Sequence, residues 1–545
     1  MDRKRLHSRI AYLLRDEFSD TLAAGSVNGT PAIPGPGTRV VTDVANKISI
    51  GSGVLDFATG EVPNDALWLD AVTRLAGKLI CYQITPADTD GIAGLGVDVN
   101  QLGGSTNRLI FAAGGSIQVI SNSEAGYNLA AYTATPYKVI AALRATGMMW
   151  FIKGGAFTDW TLIAATFSGV TTPVYPNIQA LGVAAIFTSS FLRVPRSLWL
   201  PAPLASDGMT SLTVTDGLGH TETTGLGSGG ANVPWSAAPT WSIAAGVALN
   251  TPVALAELWD AAAAIFTAGT YAWVAYGGNT ISNDGNALKV EYVDNSNGAY
   301  DSLADASDLN ADLVVGTWYR LQCDTKVNAG STVNVRVTTA LEYTYAESAT
   351  DFTTHVITFL VTHATTNKLR VTNMAAGEII WVDNISLKPL TNAELFRPLA
   401  TSLSADVVAQ VKIAAIPYKA TQVGLAVRLD DPTNPTSGIV ACFNNATGVT
   451  CWEFSGATWT LLFTASKDFT ANDSLQLIVD GANVRLIHLT SAGVATLIGS
   501  TSVATITTGG YHGLFSTDSG NTLDNFVVRP RGTGGEYNLL DRWCS

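Results

Sequence analysis

Acidic residues are the first candidates for chemistry in this sequence. A retaining glycosidase needs two carboxyl groups about 5 Å apart, one as the nucleophile and one as the acid. The nearest arrangement is Glu378-Ile-Ile-Trp-Val-Asp383, whose spacing does not suit such a pair. The chain also lacks a Gly-x-Ser-x-Gly elbow, a His-Glu-x-x-His run and a phosphate-binding loop. We therefore expect that it is not an enzyme, with glycan hydrolysis by catalytic residues far apart in the sequence as the alternative.

Oxygen ligands of the kind that calcium prefers occur in two acidic stretches. Asp430, Asp431 and Asn434 share one turn, and the loop from Asp294 to Asp312 contains five aspartates. Acidic turns are more often solvated, with side chains that cap their own backbone. Calcium is thus a candidate ligand at Asp430 and Asp431, and no other cofactor is indicated.

Two pairs of tryptophans are candidates for platforms on which sugars stack. Trp452 and Trp459 flank a Ser-Gly-Ala-Thr turn, and Trp150 and Trp160 flank a Gly-Gly turn. The alternative is packing in or beside a core, because aromatic side chains dominate the cores of β-sandwiches. The presence of a pair in both halves of the chain favours packing, and carbohydrate binding stays open.

The strands that would position these residues are recognisable by a sequence pattern that recurs near the end of each predicted sandwich. From Gly513 to Pro530 a turn is followed by alternation typical of a half-buried strand. Pro530 ends the strand because proline has no N–H for the ladder. The pattern recurs at Trp381 to Pro389, with Asp383-Asn384 in place of Asp524-Asn525, and in shorter form at Phe191 to Pro195. We interpret the three as the closing strands of three β-sandwiches.

The length of 545 residues, 47% of them hydrophobic, allows several cores. The predicted fold is all-β: three jelly-roll β-sandwiches, the second interrupted by an inserted one, plus a short N-terminal helix. The predicted domains are a basic helical arm at 1–17, a sandwich at 18–200, a second sandwich at 201–252 and 392–530, an inserted jelly roll at 253–391, and a tail at 531–545. A hairpin pattern at 138–152 recurs at 474–488, which indicates that the first two sandwiches are duplicates.

Both ends of the chain have the composition of docking peptides. Residues 1–17 predict a helix with an apolar stripe among basic side chains, and the tail places large apolar residues after a Gly-rich stretch. The residues expected to dock on a partner are Arg3, Lys4, Arg5, Leu6, Arg9, Ile10, Leu13, Leu539, Leu540 and Trp543. For the helix, packing against its own domain is an equal alternative.

Charge and cysteine content narrow the class of partner and the compartment. Charged residues make up 14% of the chain, against roughly 25% in ordinary soluble proteins, so uncharged sandwich faces are expected to pack against copies. The net charge of −13, without a basic segment in the body of the chain, argues against nucleic acid as a partner.

No stretch of the sequence suits a membrane span or a signal peptide, so synthesis in a cytoplasm is expected. Cys442 and Cys451 flank a turn and are either reduced core thiols or a hairpin disulfide.

Four stretches carry a resemblance to known folds. Residues 395–530, with Gly-Leu-Phe at 513–515 and Asp-Asn-Phe at 524–526, resemble the concanavalin A-like or laminin-G-like jelly-roll sandwich. The stretch from Leu218 to Ile243 resembles such sandwiches in tailed-phage virion proteins, and 18–200 is similar to a more divergent copy. The insert, with Gly316-Thr-Trp-Tyr-Arg-Leu321, resembles the carbohydrate-binding-module jelly roll. This last resemblance implies Asp383 as a further calcium position.

The resemblance implies a non-enzymatic structural protein of a bacteriophage particle, as a tail fibre, baseplate or capsid-decoration subunit. Its expected location is the virion, and its expected partners are other virion proteins, copies of itself and host glycans. A bacterial surface or secreted carbohydrate-binding protein is one alternative function, and a glycan hydrolase is another. The sequence leaves the position on the particle, the oligomeric state and the glycan open.

Overall fold

The computed structural model describes most of the chain in two compact units. The described residues are 12–544 without 44–45, 58–65, 88–92, 99–106, 122–126, 145–146, 167–171, 181–186, 197, 200–204, 208–234, 237–239, 245–246, 253–254, 304–307, 340, 365, 417–419, 444–447, 493 and 533–536. One unit comprises 1–203, 488–497 and 530–545, and the other comprises 204–487 and 498–529.

The first unit contains two antiparallel sheets. Their strands are β1 (Tyr12–Asp16), β2 (Val40–Thr42), β3 (Ile48–Gly51), β4 (Val54–Phe57), β5 (Ala66–Trp68), β6 (Leu79–Pro86), β7 (Ala93–Asp98), β8 (Asn107–Ala112), β9 (Ser116–Ser121), β10 (Tyr127–Ala131), β11 (Tyr137–Leu143), β12 (Met148–Gly154), β13 (Phe157–Thr166), β14 (Tyr175–Ala180) and β15 (Phe187–Pro195). One sheet has the order β13-β12-β11-β6-β15-β4-β3, with β1 paired to β15. The other has the order β10-β9-β8-β7-β14-β5-β2.

A second pair of sheets belongs to the strands on either side of residues 251–391. They are β16 (Ala205–Asp207), β17 (Trp241–Ala244) and β18 (Val247–Asn250), and, after the short helix α2 (Asn392–Leu395), β29 (Phe396–Pro398), β30 (Val407–Ala415), β31 (Val423–Leu429), β32 (Ser437–Phe443), β33 (Val449–Ser455), β34 (Thr458–Ala465), β35 (Ser474–Asp480), β36 (Asn483–Leu489), β37 (Ala495–Ser502), β38 (Tyr511–Ser516) and β39 (Thr522–Pro530). One sheet has the order β17-β18-β39-β30-β35-β36-β37, with β16 paired to β39, and the other β29-β38-β31-β32-β33-β34.

The strands between α1 and β28 form a third pair of five-stranded sheets. After the short helix α1 (Ala261–Ala264), the strands are β19 (Val274–Ala275), β20 (Thr280–Asp284), β21 (Ala287–Glu291), β22 (Ala299–Ser302), β23 (Trp318–Val327), β24 (Val333–Thr338), β25 (Glu342–Glu347), β26 (Thr353–Leu360), β27 (Lys368–Thr372) and β28 (Ile379–Leu390). Their orders are β19-β22-β27-β24-β25 and β20-β21-β28-β23-β26. We call this segment the insert. The chain is thus all-β, built of antiparallel jelly-roll sandwiches, while the exact domain boundaries stay a prediction.

The first two sandwiches share one topology. Strands β13, β12, β11, β6, β15, β4 and β3 occupy the same order as β37, β36, β35, β30, β39, β18 and β17, and β1 pairs with β15 as β16 pairs with β39. The insert enters between β18 and β29, the counterparts of β4 and β5. This order supports the predicted duplication, in which β11–β12 match β35–β36.

The three predicted closing strands, β15, β28 and β39, lie inside their sheets and share a local distortion. Asn384 and Asn525 have the left-handed φ values of 50° and 49°, and each backbone N–H is 2.8 Å from the carboxylate of the preceding aspartate. Asparagine tolerates this conformation better than other residues with a Cβ. In β15 the register shifts at the matching place, between Ser189 and Phe191.

Burial patterns differ between the first sandwich and the insert. β11 and β12 are buried on both faces along Val139 to Leu143 and Met148 to Ile152. By contrast, β23 alternates between buried and partly exposed residues from Tyr319 to its end. A half-buried strand shows this alternation because neighbouring side chains point to opposite faces. The sheet of β23 therefore presents one face to the insert core and the other outward.

The insert joins the second sandwich through an apolar cluster. Trp318 lies against Trp459 and Phe515, with ring centroids 5.8 and 5.6 Å apart. Gly316, with φ of 83°, lies so close to Ala457 that a Cβ would be 2.1 Å from its carbonyl oxygen. Only glycine suits both constraints. The Gly-Thr-Trp motif at 316–318 is thus a packing element.

Polar side chains fix the same junction beside this cluster. The Thr358 hydroxyl is 2.5 Å from Gln422 Oε1 and 2.6 Å from the Thr517 hydroxyl, and Gln422 Nε2 donates to the Thr358 carbonyl at 2.8 Å. Arg320 and the buried Asp518 carboxylate are 3.3 Å apart. Buried polar groups that satisfy one another set a defined orientation. The insert is therefore held by specific contacts.

The prediction of an N-terminal helix is corrected. Residues 12–16 form β1, paired with β15, where the sequence predicts the end of a helix; residues 1–11, with Arg3, Lys4, Arg5, Leu6, Arg9 and Ile10, lie outside the described residues. For Cys442 and Cys451 the structure agrees with the first of the two alternatives, reduced core thiols: both are free, and they belong to different core clusters on opposite faces of the hairpin. In the described part of the chain, no helix has the length and apolar character needed to cross a membrane.

Candidate functional site

The four tryptophans predicted as sugar platforms are buried. Trp150 and Trp160 are 0% exposed, Trp452 is 3% and Trp459 is 9%. A ring enclosed by its own chain has no face left for a sugar, so this burial corrects the prediction and favours the alternative of packing. The pairs are also not equivalent. Trp150 and Trp160 lie on β12 and β13, which correspond to β36 and β37, whereas the other pair lies on β33 and β34.

The aspartates predicted as calcium ligands bind their own turns. Asp431 Oδ1 accepts hydrogen bonds from Thr433 N and Asn434 N at 2.7 and 2.9 Å. A hydrogen bond from the Thr433 hydroxyl, together with these two backbone bonds, lowers the pKa of Asp431. Asp430 accepts from Thr436 in the same way. No group of three or more metal-ligating side chains was found among the described residues. Calcium stays a prediction.

The predicted docking residues that can be described lie against their own unit. Leu540 is 0% and Trp543 4% exposed, and Asp541 between them is 2.8 Å from Lys153 Nζ and 3.0 Å from Trp160 Nε1. The tail therefore covers its own sheet, which corrects the prediction that these side chains are open to a partner. The side chain of Leu539 lies outside the described residues. Leu13 on β1 is 37% exposed.

An aromatic site that the sequence did not predict lies on the outward side of the sheet β20-β21-β28-β23-β26. We call it the Trp381 face. Pairing places Ser282 opposite Lys289, Lys289 opposite Trp381, and Trp381 opposite Lys326. Phe352 continues this row, because it precedes Thr353, the partner of Thr325. Aromatic and cationic side chains therefore alternate across the strands.

The centre of the Trp381 face is held by short polar contacts. Lys326 Nζ is 5.0 Å from the centre of the Trp381 ring and 4.6 Å from that of Phe352, within the range of cation–π attraction. Trp381 Nε1 donates to Asp284 Oδ2 at 2.9 Å. Phe352 is 43% exposed. These contacts hold two aromatic rings at the surface in defined positions.

The carboxylates of Asp324 and Asp383 lie side by side in the sheet, next to the aromatic row. Asp324 is paired with both Asp383 and Thr354 across the strands. Its two oxygens accept from the Thr354 hydroxyl at 2.5 Å and from Asn384 Nδ2 at 2.7 Å. Burial raises the pKa of Asp383, and the facing charge of Asp324 raises it further. The row supplies acceptors and one amide beside the rings.

The aromatic rings and carboxylates of the Trp381 face together suit a hydroxyl-rich ligand. Sugars bind where an aromatic face covers their C–H groups and a few polar side chains fix their hydroxyls. Trp381 and Phe352 supply the aromatic faces. The polar side chains are those of Asp324, Asp383 and Asn384. The sequence contained one usable signal, since the alternation in Ile380-Trp-Val382 already places Trp381 opposite to two core residues. Phe352 comes to lie beside Lys326 and Trp381 only through the register of the strands, so its place in the site could not be predicted from the sequence.

The insert has a second, partly exposed pair of aromatic side chains on its other sheet. Tyr276 and Tyr300 have ring centroids 4.9 Å apart, with Lys368 4.1 Å from Tyr300 and Arg370 5.4 Å from Tyr276. We call this the Tyr300 patch. Its polar neighbours are mainly cations, whereas the Trp381 face adds carboxylates. The Trp381 face is therefore the better match to neutral hydroxyl groups, and the Tyr300 patch is its natural control.

A groove of about 420 Å³ lies where the insert meets the second sandwich. It is lined by 314–317, 389–392 and 434–436, with Leu255, Gly456 and Ala457. None of these residues is ionisable or aromatic, and Asn392 already donates to the Pro435 carbonyl at 2.9 Å. The groove lacks a stacking surface, so we do not assign the site to it.

Comparisons with known proteins find no family. No family model matches the chain, and no curated protein matches it. The carbohydrate-binding module CBM66 from Bacillus subtilis aligns with a TM-score of 0.21 and 14% identity, over 25% of this chain and 80% of that one.

Two further solved structures align as weakly. The exoplasmic/lumenal domain of VIP36, in a Ca2+/Man3GlcNAc-bound form, aligns with a TM-score of 0.25 and 10% identity, over 30% of this chain and 86% of that one. The endo-beta-1,3(4)-glucanase SCLam aligns with a TM-score of 0.25 and 10% identity, over 34% and 91%. Similarities this weak assign no function to the chain.

Proposed function

We propose that this chain is a non-enzymatic attachment protein that binds carbohydrate through the Trp381 face. The observation that carries the proposal is the row in which Trp381 and Phe352 flank Lys326, beside the carboxylates of Asp324 and Asp383. Stacking on the exposed Phe352 ring and the partly exposed Trp381 ring supplies binding energy, and the carboxylates accept hydroxyl hydrogen bonds. The sheet positions all of these groups, so little ordering is needed on binding.

Within this function, we place the chain in a bacteriophage particle, as a tail fibre, baseplate or capsid-decoration subunit. The low charged fraction of 14% and the nested sandwiches support a role in an assembly. Exposed apolar side chains on the insert, including Val293 at 54% and Val314 at 60%, add surface that copies or other virion proteins would cover. Co-purification of the native chain with virion proteins tests this placement, and its recovery as a lone secreted protein contradicts it.

The binding function is tested with a glycan array. The full chain is expected to retain a defined set of glycans, and Trp381→Ala is expected to lose them. Tyr300→Ala, on the other sheet of the insert, is expected to keep them. If no glycan is retained by the wild-type chain, or if only Tyr300→Ala loses binding, the assignment to the Trp381 face is wrong.

Hydrolysis is the second candidate, and one observation favours it. Asp324 and Asp383 face each other across two strands, where Cβ atoms are about 5 Å apart, and the pKa of Asp383 is raised. Against it, Asn384 and Thr354 already use both oxygens of Asp324. Retained glycans should therefore be recovered intact after prolonged incubation. Products that appear with wild type and vanish with Asp383→Asn would establish an enzyme instead.

A further inference from the structure

Phe352 lies in a loop that connects the two sheets of the insert. The loop, residues 348–352, leaves β25, the last strand of one sheet, and enters β26, the last strand of the other. Phe352 therefore stands at the outer edge of the Trp381 face, next to a strand that has a neighbour on one side. Loops at such edges open easily unless further contacts hold them.

Glu347, the last residue of β25, binds this loop near both of its ends. Its Oε1 accepts a hydrogen bond from Ala349 N at 2.7 Å, and its Oε2 accepts one at 2.9 Å from the hydroxyl of Thr353, the residue after Phe352. Oε2 also accepts from the Thr325 hydroxyl of β23 at 2.5 Å. One carboxylate thus joins β25, the loop, β26 and β23.

His355 completes the donors around this carboxylate. Its Nε2 is 2.7 Å from Glu347 Oε2, and its ring is stacked on that of Tyr345, with ring centroids 4.0 Å apart. Burial opposes the charge of Glu347, but the hydrogen bond from His355 and those from the loop and the strands outweigh it and lower the pKa of Glu347 to about 2. The carboxylate is therefore ionised at neutral pH, and both of its oxygens act as acceptors.

The backbone of the loop is also bound to the centre of the Trp381 face. Val327 N donates to the Ala349 carbonyl at 2.8 Å, and Val327 follows Lys326 in β23. The loop is thus held to the strand that carries Lys326, whose Nζ is 4.6 Å from the centre of the Phe352 ring. Its conformation determines where this ring stands relative to Trp381.

We propose that Glu347 is a positioning residue of the Trp381 face, which holds Phe352 in place for stacking on a sugar. This inference rests on the proposed carbohydrate binding. Glu347 is 2% exposed, so it acts through the loop and does not touch the sugar. Without its carboxylate, Phe352 is ordered only when the sugar binds, and ordering one side chain costs about two- to tenfold in affinity.

A purely structural role for Glu347 predicts a different result. Loss of stability alone leaves the affinity of the folded molecules unchanged. A distorted sheet, in turn, weakens binding whichever residue stands at position 352. A positioning role predicts that the effect of Glu347 on binding disappears once Phe352 has been removed. A double-mutant cycle separates these cases.

Isothermal calorimetry on the full chain measures this cycle, with the glycan that the wild-type chain retains best on the array as the probe. Glu347→Ala is expected to weaken binding about two- to tenfold, and to have no further effect in a chain that carries Phe352→Ala. Glu347→Gln keeps the shape and one acceptor oxygen, so it should bind more tightly than Glu347→Ala.

Glu342→Ala is the matched control for this experiment. Glu342 lies at the other end of β25, is exposed, and forms a salt bridge with Arg336 at 2.6 Å. The same substitution on the same strand therefore removes a carboxylate that does not contact the loop. Glu342→Ala should bind as wild type.

Hydrogen exchange of the peptide that spans residues 347–353 gives a readout without any glycan. Exchange should be faster in Glu347→Ala than in wild type, and unchanged in Glu342→Ala, because only the first loses the contacts that hold the loop. Thr353→Val removes a single hydroxyl and should give a smaller increase. This variant tests the same contact if Glu347→Ala does not fold.

Three results overturn the inference. The first is wild-type affinity in a folded Glu347→Ala chain whose binding still depends on Trp381, which leaves the proposed function intact. The second is an equal loss of affinity on Glu347→Ala with and without Phe352. The third is unchanged exchange of the loop peptide in both Glu347→Ala and Thr353→Val. If the wild-type chain retains no glycan, the proposed function itself is wrong, and the exchange measurement still decides whether Glu347 holds the loop.

Discussion

Asn384 and Asn525 explain why the recurring pattern of the closing strands can be recognised in the sequence. Both take a left-handed backbone conformation, and both are preceded by an aspartate that accepts their N–H. The Asp-Asn dipeptide thus reports a bulge in the strand, where the extra residue shifts the register. The pattern marks backbone geometry, and the side chain of Asn384 additionally serves the Trp381 face.

Asn384 is expected to distinguish alanine from glycine. Asn384→Ala should lower the free energy of unfolding by about 1 kcal/mol more than Asn384→Gly, because a Cβ disfavours this conformation. Both variants lose the hydrogen bond to Asp324, so their difference isolates the backbone. Urea unfolding measures it. Equal stability of the two variants would show that the backbone conformation is not strained.

His512 is expected to make the second sandwich sensitive to acid. Burial lowers the pKa of His512 to about 4, while an unfolded histidine titrates near 6.5. As the pH falls from about 6.5 to about 4, only the unfolded state gains the proton, so the free energy of unfolding falls by up to roughly 3 kcal/mol.

The matched variants for this prediction are His512→Gln and His363→Gln. Denaturant unfolding at several pH values should show a flatter pH dependence for His512→Gln than for wild type. His363 is exposed, so His363→Gln should behave as wild type. An unchanged slope in His512→Gln would mean that other groups cause the acid sensitivity.

At the scale of elements, the junction between the insert and the second sandwich decides whether the two act together. Trp318 at the start of β23 fills the apolar cluster, and the Thr358–Gln422–Thr517 contacts form the polar part. Trp459 is covered here by the insert. A tryptophan that looks like a platform in sequence is thus enclosed by an element more than 100 positions away.

Trp318→Ala should destabilise this junction strongly. Truncating a fully buried tryptophan costs about 3–5 kcal/mol, because a cavity remains; Trp318 is 1% exposed. Calorimetry should show a lower melting temperature, or a separate transition for the insert. Trp381→Ala is the control, since its ring is partly exposed and its loss should change stability little. Similar losses for both would contradict the assigned burial.

At the scale of the whole molecule, one sandwich topology occurs twice and an unrelated jelly roll interrupts the second copy. The closing strands, the repeated hairpin and the insertion could be predicted from the sequence, because they depend on local turn residues and on the alternation of apolar and polar residues along strands. The shared strand order extends that reading to whole sheets. The helix expected at 1–17 failed at Tyr12 to Asp16, where pairing with β15 overrides a helical pattern.

The site was less predictable than the fold for a physical reason. Whether an aromatic side chain is open depends on what covers it, and the covering residues are distant in sequence: Asp541 for Trp160, and Trp318 for Trp459. Phe352 joins Trp381 only through the register of β23 with β26 and β28. Composition and spacing contain neither relation.

Titration of the glycan that the array retains best is the most direct measurement. Isothermal calorimetry compares wild type, Trp381→Ala and Tyr300→Ala, with the fold of each checked by its melting curve. We predict that Trp381→Ala weakens binding at least about tenfold, equivalent to about 1.4 kcal/mol, while Tyr300→Ala binds as wild type. Wild-type affinity in a folded Trp381→Ala chain would contradict the proposed site.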